Sequence, residues 1–240
     1  MTGTPDNSFG FRSVAPDERR ARIRRVFTGV AARYDLMNDL MSFGLHRIWK
    51  RWLIAAVAPK PGEILVDLAG GTGDVGAGLA GPDRRVAVCD PSVAMMEAGR
   101  KRALPYVQWV AGEAEAMPFA ENSLDGVTIS FGIRNVTRLR DALAEMHRVL
   151  KPGGRVFCLE FSKPHAWLAP FYNLFSFQVI PRLGAFVAQQ PEAYAYLVES
   201  IRRFPDQEEL AGLFREAGFS RVTYRNFSFG IVCLHMGYKV

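Results

Sequence analysis

The sequence predicts a doubly wound α/β fold, with a mostly parallel sheet and a C-terminal antiparallel hairpin. Three observations carry this expectation. Apolar β-like runs alternate with amphipathic helical stretches between residues 64 and 161, as in a parallel sheet covered by helices on both faces. Asp67, Gly70 and Asp90 fall where successive strands end, the edge at which open parallel sheets bind ligands. Two further β-like runs, 220–227 and 231–240, are joined by so few residues that they must pair antiparallel.

Residues 1–16 read as a loose arm, because MTGTPDNSFGFR is rich in Gly, Ser, Thr, Pro and Asn. Residues 17–240 read as a single domain that begins with a helical part, 17–58. Ile23, Val26, Phe27, Val30 and Tyr34 recur at helical spacing, and so do Leu45, Ile48, Trp49, Trp52, Leu53, Ala56 and Val57. Strands follow at 64–69, 86–90, 106–112, 126–132 and 155–161. Pro91-Ser92 opens a helix over 93–103. Another helix spans 138–150, with Leu139, Ala142, Leu143, Met146, Val149 and Leu150 on one face and Lys151-Pro152-Gly153-Gly154 as its stop. An aromatic-rich insertion, 164–204, interrupts the rhythm, and a last helix runs from the N-cap Asp206 to Ala217 before Gly218.

Composition narrows the function classes. Hydrophobic residues make up 49% and charged residues 22%, so the chain folds without needing disulfides or metal. Cys89, Cys158 and Cys233 each lie in an apolar run, with no Cys or His partner at metal-ligand spacing; they read as reduced core thiols, and no metal site is expected. The first 25 residues hold no apolar signal segment, which predicts a cytoplasmic protein. The net charge is +6, much of it from Arg19, Arg20, Arg22, Arg24 and Arg25, read as a solvated helix face or a contact for anionic lipid. The segment 164–181 carries no Lys, Arg, Asp or Glu, yet three prolines and the polar Asn173, Ser176 and Gln178 interrupt it, so it reads as an aromatic surface or tunnel wall rather than a spanning helix.

The strongest local signal is Asp67-Leu68-Ala69-Gly70-Gly71-Thr72-Gly73-Asp74, between a strand and a helix. Its glycines let the backbone turn sharply and approach a ligand. Gly71 to Gly76 also reads G-x-G-x-x-G, the dinucleotide fingerprint. Charge argues against a dinucleotide: carboxylates ~4 Å from a pyrophosphate cost on the order of several kcal/mol. A sulfonium and an α-ammonium, as in S-adenosylmethionine, tolerate Asp67 and Asp74. Asp90 is placed to hold the ribose hydroxyls, and Glu113 to accept from an adenine amino group.

Further segments resemble one family. They are Tyr34-Asp35-Leu36-Met37-Asn38-Asp39 with His46-Arg47-Ile48-Trp49, then Ser130-Phe131-Gly132-Ile133-Arg134-Asn135, Arg148 to Lys163, Tyr196 to Ile201, and Gly230 to Lys239. With the glycine loop they resemble the ubiquinone/menaquinone biosynthesis C-methyltransferases of the UbiE/MenG type, over nearly the whole chain from about residue 10. The resemblance implies a class I S-adenosylmethionine methyltransferase fold, and cofactor contacts from Thr72, Asp90, Glu113, Ala114 and Ser130. It also implies methylation of a ring carbon of a polyprenyl benzoquinol, of demethylmenaquinol, or of both. The family often carries Asp or Asn where Glu113 stands.

A quinol carbon becomes nucleophilic when the neighbouring phenol, with pKa about 10, loses its proton. Arg134 can stabilise the phenolate, Asn135 can orient the ring oxygen, His46 is a candidate base, and Tyr34 can close over the methyl donor. A polyprenyl acceptor places the enzyme at the inner membrane surface or beside a partner in a quinone-biosynthesis complex; a homo-oligomer is compatible with the sequence. Other acceptors remain open, among them a different small aromatic or RNA. A methylase of base amino groups carries a Pro-Pro-aromatic motif where this chain reads Ser130-Phe131-Gly132-Ile133, so no specific nucleic-acid partner is expected.

Overall fold

The computed structural model describes residues 8–30, 38–39, 42–174, 178 and 191–240. A seven-stranded sheet forms its centre. The strands are β3 (Ile64–Leu68), β4 (Arg85–Asp90), β5 (Val107–Ala111), β6 (Leu124–Ser130), β7 (Leu150–Phe161), β8 (Ser220–Phe227) and β9 (Val232–Tyr238). They lie in the order β5-β4-β3-β6-β7-β9-β8. All neighbours from β5 to β7 pair parallel, whereas β9 is antiparallel to both β7 and β8. The last hairpin is thus antiparallel as expected, and its second strand inserts between the first and the parallel sheet. β3 pairs with both β4 and β6, so the strand order reverses there and opens a crevice at the strands' carboxyl ends.

Helices cover both faces. They are α1 (Pro16–Val30), α2 (Leu45–Val57), α3 (Asp74–Leu79), α4 (Val93–Arg100), α5 (Leu139–Val149), α6 (Ala169–Leu174), α7 (Pro191–Arg203) and α8 (Gln207–Glu216). α5 shows why periodicity was informative: Leu139, Ala142, Leu143, Met146 and Val149 are all removed from solvent. Each larger side chain among them contributes roughly 1.5–3 kcal/mol by burial. α8 begins at Asp206 with a full capping box, in which Asp206 and Glu209 each accept the other's backbone N–H. On the opposite face, Trp49, Leu53 and Val57 of α2 pack against Leu65, Val86 and Leu159.

Two expectations need correction. The helix stops at Val149, just before Lys151 to Gly154 as expected, but that stretch already belongs to β7, which begins at Leu150 rather than at 155. Gly153 N–H donates to the Lys239 carbonyl at 2.7 Å, and Lys239 N–H to the Gly154 carbonyl at 2.9 Å, so the C-terminal segment recruits this stretch into the sheet. Nor is the arm loose from residue 8 onward. β1 (Ser8–Phe9) and β2 (Arg12–Ser13) form an antiparallel ribbon. Phe9 stacks on Tyr196 of α7 at 4.3 Å, and Phe11 N–H donates to Glu199 at 2.9 Å. Much of the 164–204 insertion, including Phe175 and Phe177, and residues 1–7 lie outside the described residues.

Candidate active site

The glycine loop is shaped from beneath by Asp67, at the end of β3. Its carboxylate is fully buried and accepts from the Gly76 N–H and the Thr128 hydroxyl, each at 2.9 Å. Burial pushes its pKa up to about 7. A Cβ on Gly70 would lie 2.6 Å from Asp67 Oδ2, so the loop closes over this carboxylate only with glycine there. Asp74 opens α3 and pairs with Lys50 at 3.0 Å and Arg102 at 2.5 Å. Burial opposes its ionisation, but the two cations prevail and lower its pKa to about 2.

Both flanking carboxylates are therefore satisfied within the protein, and neither is the negative charge that the sequence reading set against a pyrophosphate. The acidic groups that line the cleft are Asp90, Glu113 and Glu115, and Glu115 is taken up by the backbone N–H groups of Thr137 and Arg138. Asp90 is buried, which pushes its pKa upward; its two oxygens hold the backbone N–H groups of Gly71 (2.9 Å) and Ser92 (2.7 Å). Among the described residues no cation pairs with it. A carboxylate with spare lone pairs at the edge of a cleft suits the two hydroxyls of a ribose. Glu113 meets Arg24 at 3.4 Å and Arg20 at 3.9 Å, both from α1. Arg20, Ile23, Arg24 and Phe27 thus wall one side of the cleft.

The far wall is the turn after β6. A Cβ on Gly132 would lie 2.6 Å from the Ala69 Cβ, so this turn packs directly on the glycine loop. Phe131 lines the cleft with a left-handed backbone (φ 55°), a strained conformation for a bulky residue. Arg134 turns away from the cleft: Nη1 donates to Glu160 at 2.7 Å and to the Phe131 carbonyl at 2.6 Å. Glu160 is an acid inside an apolar strand; burial raises its pKa and the Arg134 charge opposes that. Asn135 lines the cleft and accepts a hydrogen bond from the Tyr196 hydroxyl at 3.0 Å. Arg19 of α1, 1% exposed, donates to the carbonyls of Arg134, Asn135 and Val136 at 2.8–3.0 Å, to Thr137 Oγ1 at 3.3 Å, and to the Ser8 carbonyl at 2.7 Å.

Of the residues singled out in the sequence, the cleft collects Gly71, Asp90, Glu113, Ala114 and Asn135. Asp67, Gly70, Thr72, Gly73, Ser130, Arg134 and His46 are not among its lining residues. His46 is buried on α2, with Nδ1 2.9 Å from the Ser42 hydroxyl, and burial lowers its pKa to about 4. Tyr34 lies outside the described residues. The sequence reading missed Arg19, Arg20, Arg24, Glu160 and Tyr196. Glu160 carried a signal, being a lone acid in the apolar run RVFCLEF. Arg19 carried none, because nothing local separates it from the arginines around it.

A doubly wound sheet with a glycine loop after its first parallel strand, and a lone carboxylate after its second, defines a class I S-adenosylmethionine-dependent methyltransferase. The fold matches a solved SAM-dependent methyltransferase from Thermotoga maritima, described as a possible histamine N-methyltransferase. The TM-score is 0.65 at 22% identity, over 91% of this chain and 100% of that one. Residues 15–239 match the ubiE/COQ5 methyltransferase family, and the chain belongs to it. It is 62% identical to the ubiquinone/menaquinone biosynthesis C-methyltransferase UbiE of Rubrivivax gelatinosus, over 96% of this chain and 92% of that protein. It is 52% identical to the enzyme of the same name from Paracoccus denitrificans, over 99% and 100%.

Proposed function

We infer that this methyltransferase acts on a ring carbon of a polyprenyl quinol, a benzoquinol or demethylmenaquinol, in ubiquinone/menaquinone biosynthesis. The observation that carries the reading is the single cleft shared by Asp90, Glu113, Phe131 and Asn135, which joins a nucleoside-binding end to an aromatic and amide-bearing end. S-adenosylmethionine, which Gly71, Asp90, Glu113 and Ala114 would hold, would supply the methyl group to the ring carbon.

Asp90 holds the ribose, Glu113 accepts from the adenine amine, and Gly71 and Ala114 let the ligand approach the backbone. Gly70, Thr72 and Gly73 shape the loop with Asp67 below it, and Ser130 leads into the far wall. At that wall Phe131 packs against the acceptor ring and Asn135 addresses its oxygen. Arg134 serves indirectly, since its charge is engaged by Glu160 and its contact with the Phe131 carbonyl holds the turn. A pKa near 4 makes His46 a weak acceptor for a phenol proton, and its contact with Ser42 supports a packing role.

Among the described residues no helix is long and apolar enough to cross a membrane. Contact with the bilayer that holds the polyprenyl tail is then peripheral, through exposed Trp167, Phe171 and Leu174 with Phe229, whose ring meets Trp167 at 5.2 Å. The test of the reaction is direct. Purified protein, S-adenosylmethionine and demethylated quinols should give a product heavier by one methyl on the ring, and lipid quinones from a deletion strain should be lighter by one methyl. Unmethylated quinol in the purified assay, together with fully methylated lipid quinones in the deletion strain, would refute the acceptor assignment.

A further inference from the structure

We propose that Tyr196 is a positioning residue for the methyl acceptor: its buried hydroxyl holds the Asn135 carboxamide so that the NH2, not the carbonyl oxygen, is offered to the acceptor's ring oxygen. The proposal rests on the acceptor reading above and adds a residue distant from it in sequence. Tyr196 comes from α7 and reaches Asn135 across 61 positions.

The backbone of Asn135 is already committed. Its N–H donates to the Gly132 carbonyl at 3.0 Å, and its carbonyl accepts from Arg19 at 3.0 Å. Only the side-chain amide is left to face the cleft. An amide is nearly symmetric in shape and opposite in function at its two ends, with an acceptor on one side and two donors on the other. The Tyr196 hydroxyl donates to Oδ1 at 3.0 Å. Among the described residues Nδ2 has no hydrogen-bond partner. The donor end of Asn135 is therefore the end left for a ligand.

That orientation matters for the chemistry. Attack by the ring carbon requires electron density pushed from a neighbouring oxygen that has lost its proton. A preset N–H donor stabilises that oxygen as its charge develops, whereas a flipped amide would face it with a carbonyl and repel it. Tyr196 is itself immobilised: 4% exposed, it stacks on Phe9 with an interplanar angle of 12°. Phe9 belongs to the ribbon that Arg19 ties down through the Ser8 carbonyl. Burial raises the Tyr196 pKa above the ordinary phenol value, which keeps its proton available for Asn135.

The experiment uses the full chain, S-adenosylmethionine and a one-prenyl demethylmenaquinol. Tyr196→Phe keeps the ring and its stacking and removes only the hydroxyl. It should lower kcat about tenfold to a hundredfold, leave cofactor affinity within about twofold, and move the kcat–pH profile to higher pH. Asn135→Asp keeps an acceptor for Tyr196 but lacks the donor, so it should lose at least as much, and the double variant should lose no more than Asn135→Asp alone. Wild-type kcat and pH profile in Tyr196→Phe, with Asn135→Asp impaired, would overturn the positioning role and leave the acceptor reading standing. Wild-type turnover in Asn135→Asp would overturn both. A loss in Tyr196→Phe that follows thermal stability, with an unmoved pH profile, would also overturn the proposal.

Discussion

Arg134 and Glu160, 26 positions apart, form an ion pair at 2.7 Å with side chains 7% and 1% exposed, directly behind the cleft wall that carries Phe131. Removing one partner of such a pair strands the other charge. Glu160→Gln should cost about 3–5 kcal/mol in urea unfolding, while Arg134→Met with Glu160→Leu should recover most of that loss. If the double variant is as unstable as the single one, packing rather than the stranded charge governs this position.

Arg19 gives a contrast within one helix. Arg19→Met leaves four carbonyls and a hydroxyl without their donor and should cost at least about 3 kcal/mol. It should also weaken S-adenosylmethionine binding, because the turn it holds forms the cleft wall. Arg22, paired with Glu18 near the surface, should change stability by less than about 0.5 kcal/mol when replaced by Gln. Equal effects at the two positions would contradict the assignment.

Asp90→Ala removes the carboxylate proposed to bind the ribose. Isothermal titration should show cofactor affinity weakened about tenfold or more, each lost hydrogen bond being worth roughly 1–3 kcal/mol. Unchanged affinity would remove Asp90 from the site.

His235 predicts a pH effect on stability. It is 1% exposed, its ring Nε2 lies 2.8 Å from the Gln207 carbonyl, and burial lowers its pKa from 6.5 to about 4. The unfolded chain therefore binds the proton more tightly, so the histidine's contribution is complete above pH 6.5 and is lost as pH falls toward 4. Between pH 7 and pH 4 the wild type should lose about 3 kcal/mol more than His235→Leu. Asp67, whose pKa is raised, works in the opposite direction over a similar range, so the comparison is made between variant and wild type at each pH. Parallel losses would place the His235 pKa near its ordinary value.

The exposed aromatics predict a dependence on tail length. Phe171→Ser and Phe229→Ser should lower turnover on long-tailed quinols more than on tail-less ones, and should weaken liposome flotation. An identical response to both substrates would assign these rings to contacts other than the tail or bilayer.

Periodicity and punctuation were legible in the sequence because they act over a few residues. The apolar runs formed β3 to β7, the alternation formed the helices between them, and Asp206 with Glu209 capped α8. The glycine loop, Asp90 and Glu113 were legible for the same reason: a strand end places its next residues at the mouth of the sheet. Tertiary structure decided what depends on distant partners. Asp67 and Asp74 flank the same loop, yet one is sealed beneath it by Thr128 and Gly76 and the other is neutralised by Lys50 and Arg102. Arg19 reads like its neighbours until α1 meets the turn after β6, where carbonyl groups withdrawn from water require a donor. The orientation of Asn135 belongs to Tyr196, and the place of β9 between β7 and β8 to the pairing of Arg155–Phe161 with Val232–Tyr238. Such contacts join residues whose separation along the chain has no fixed period, so no local pattern encodes them.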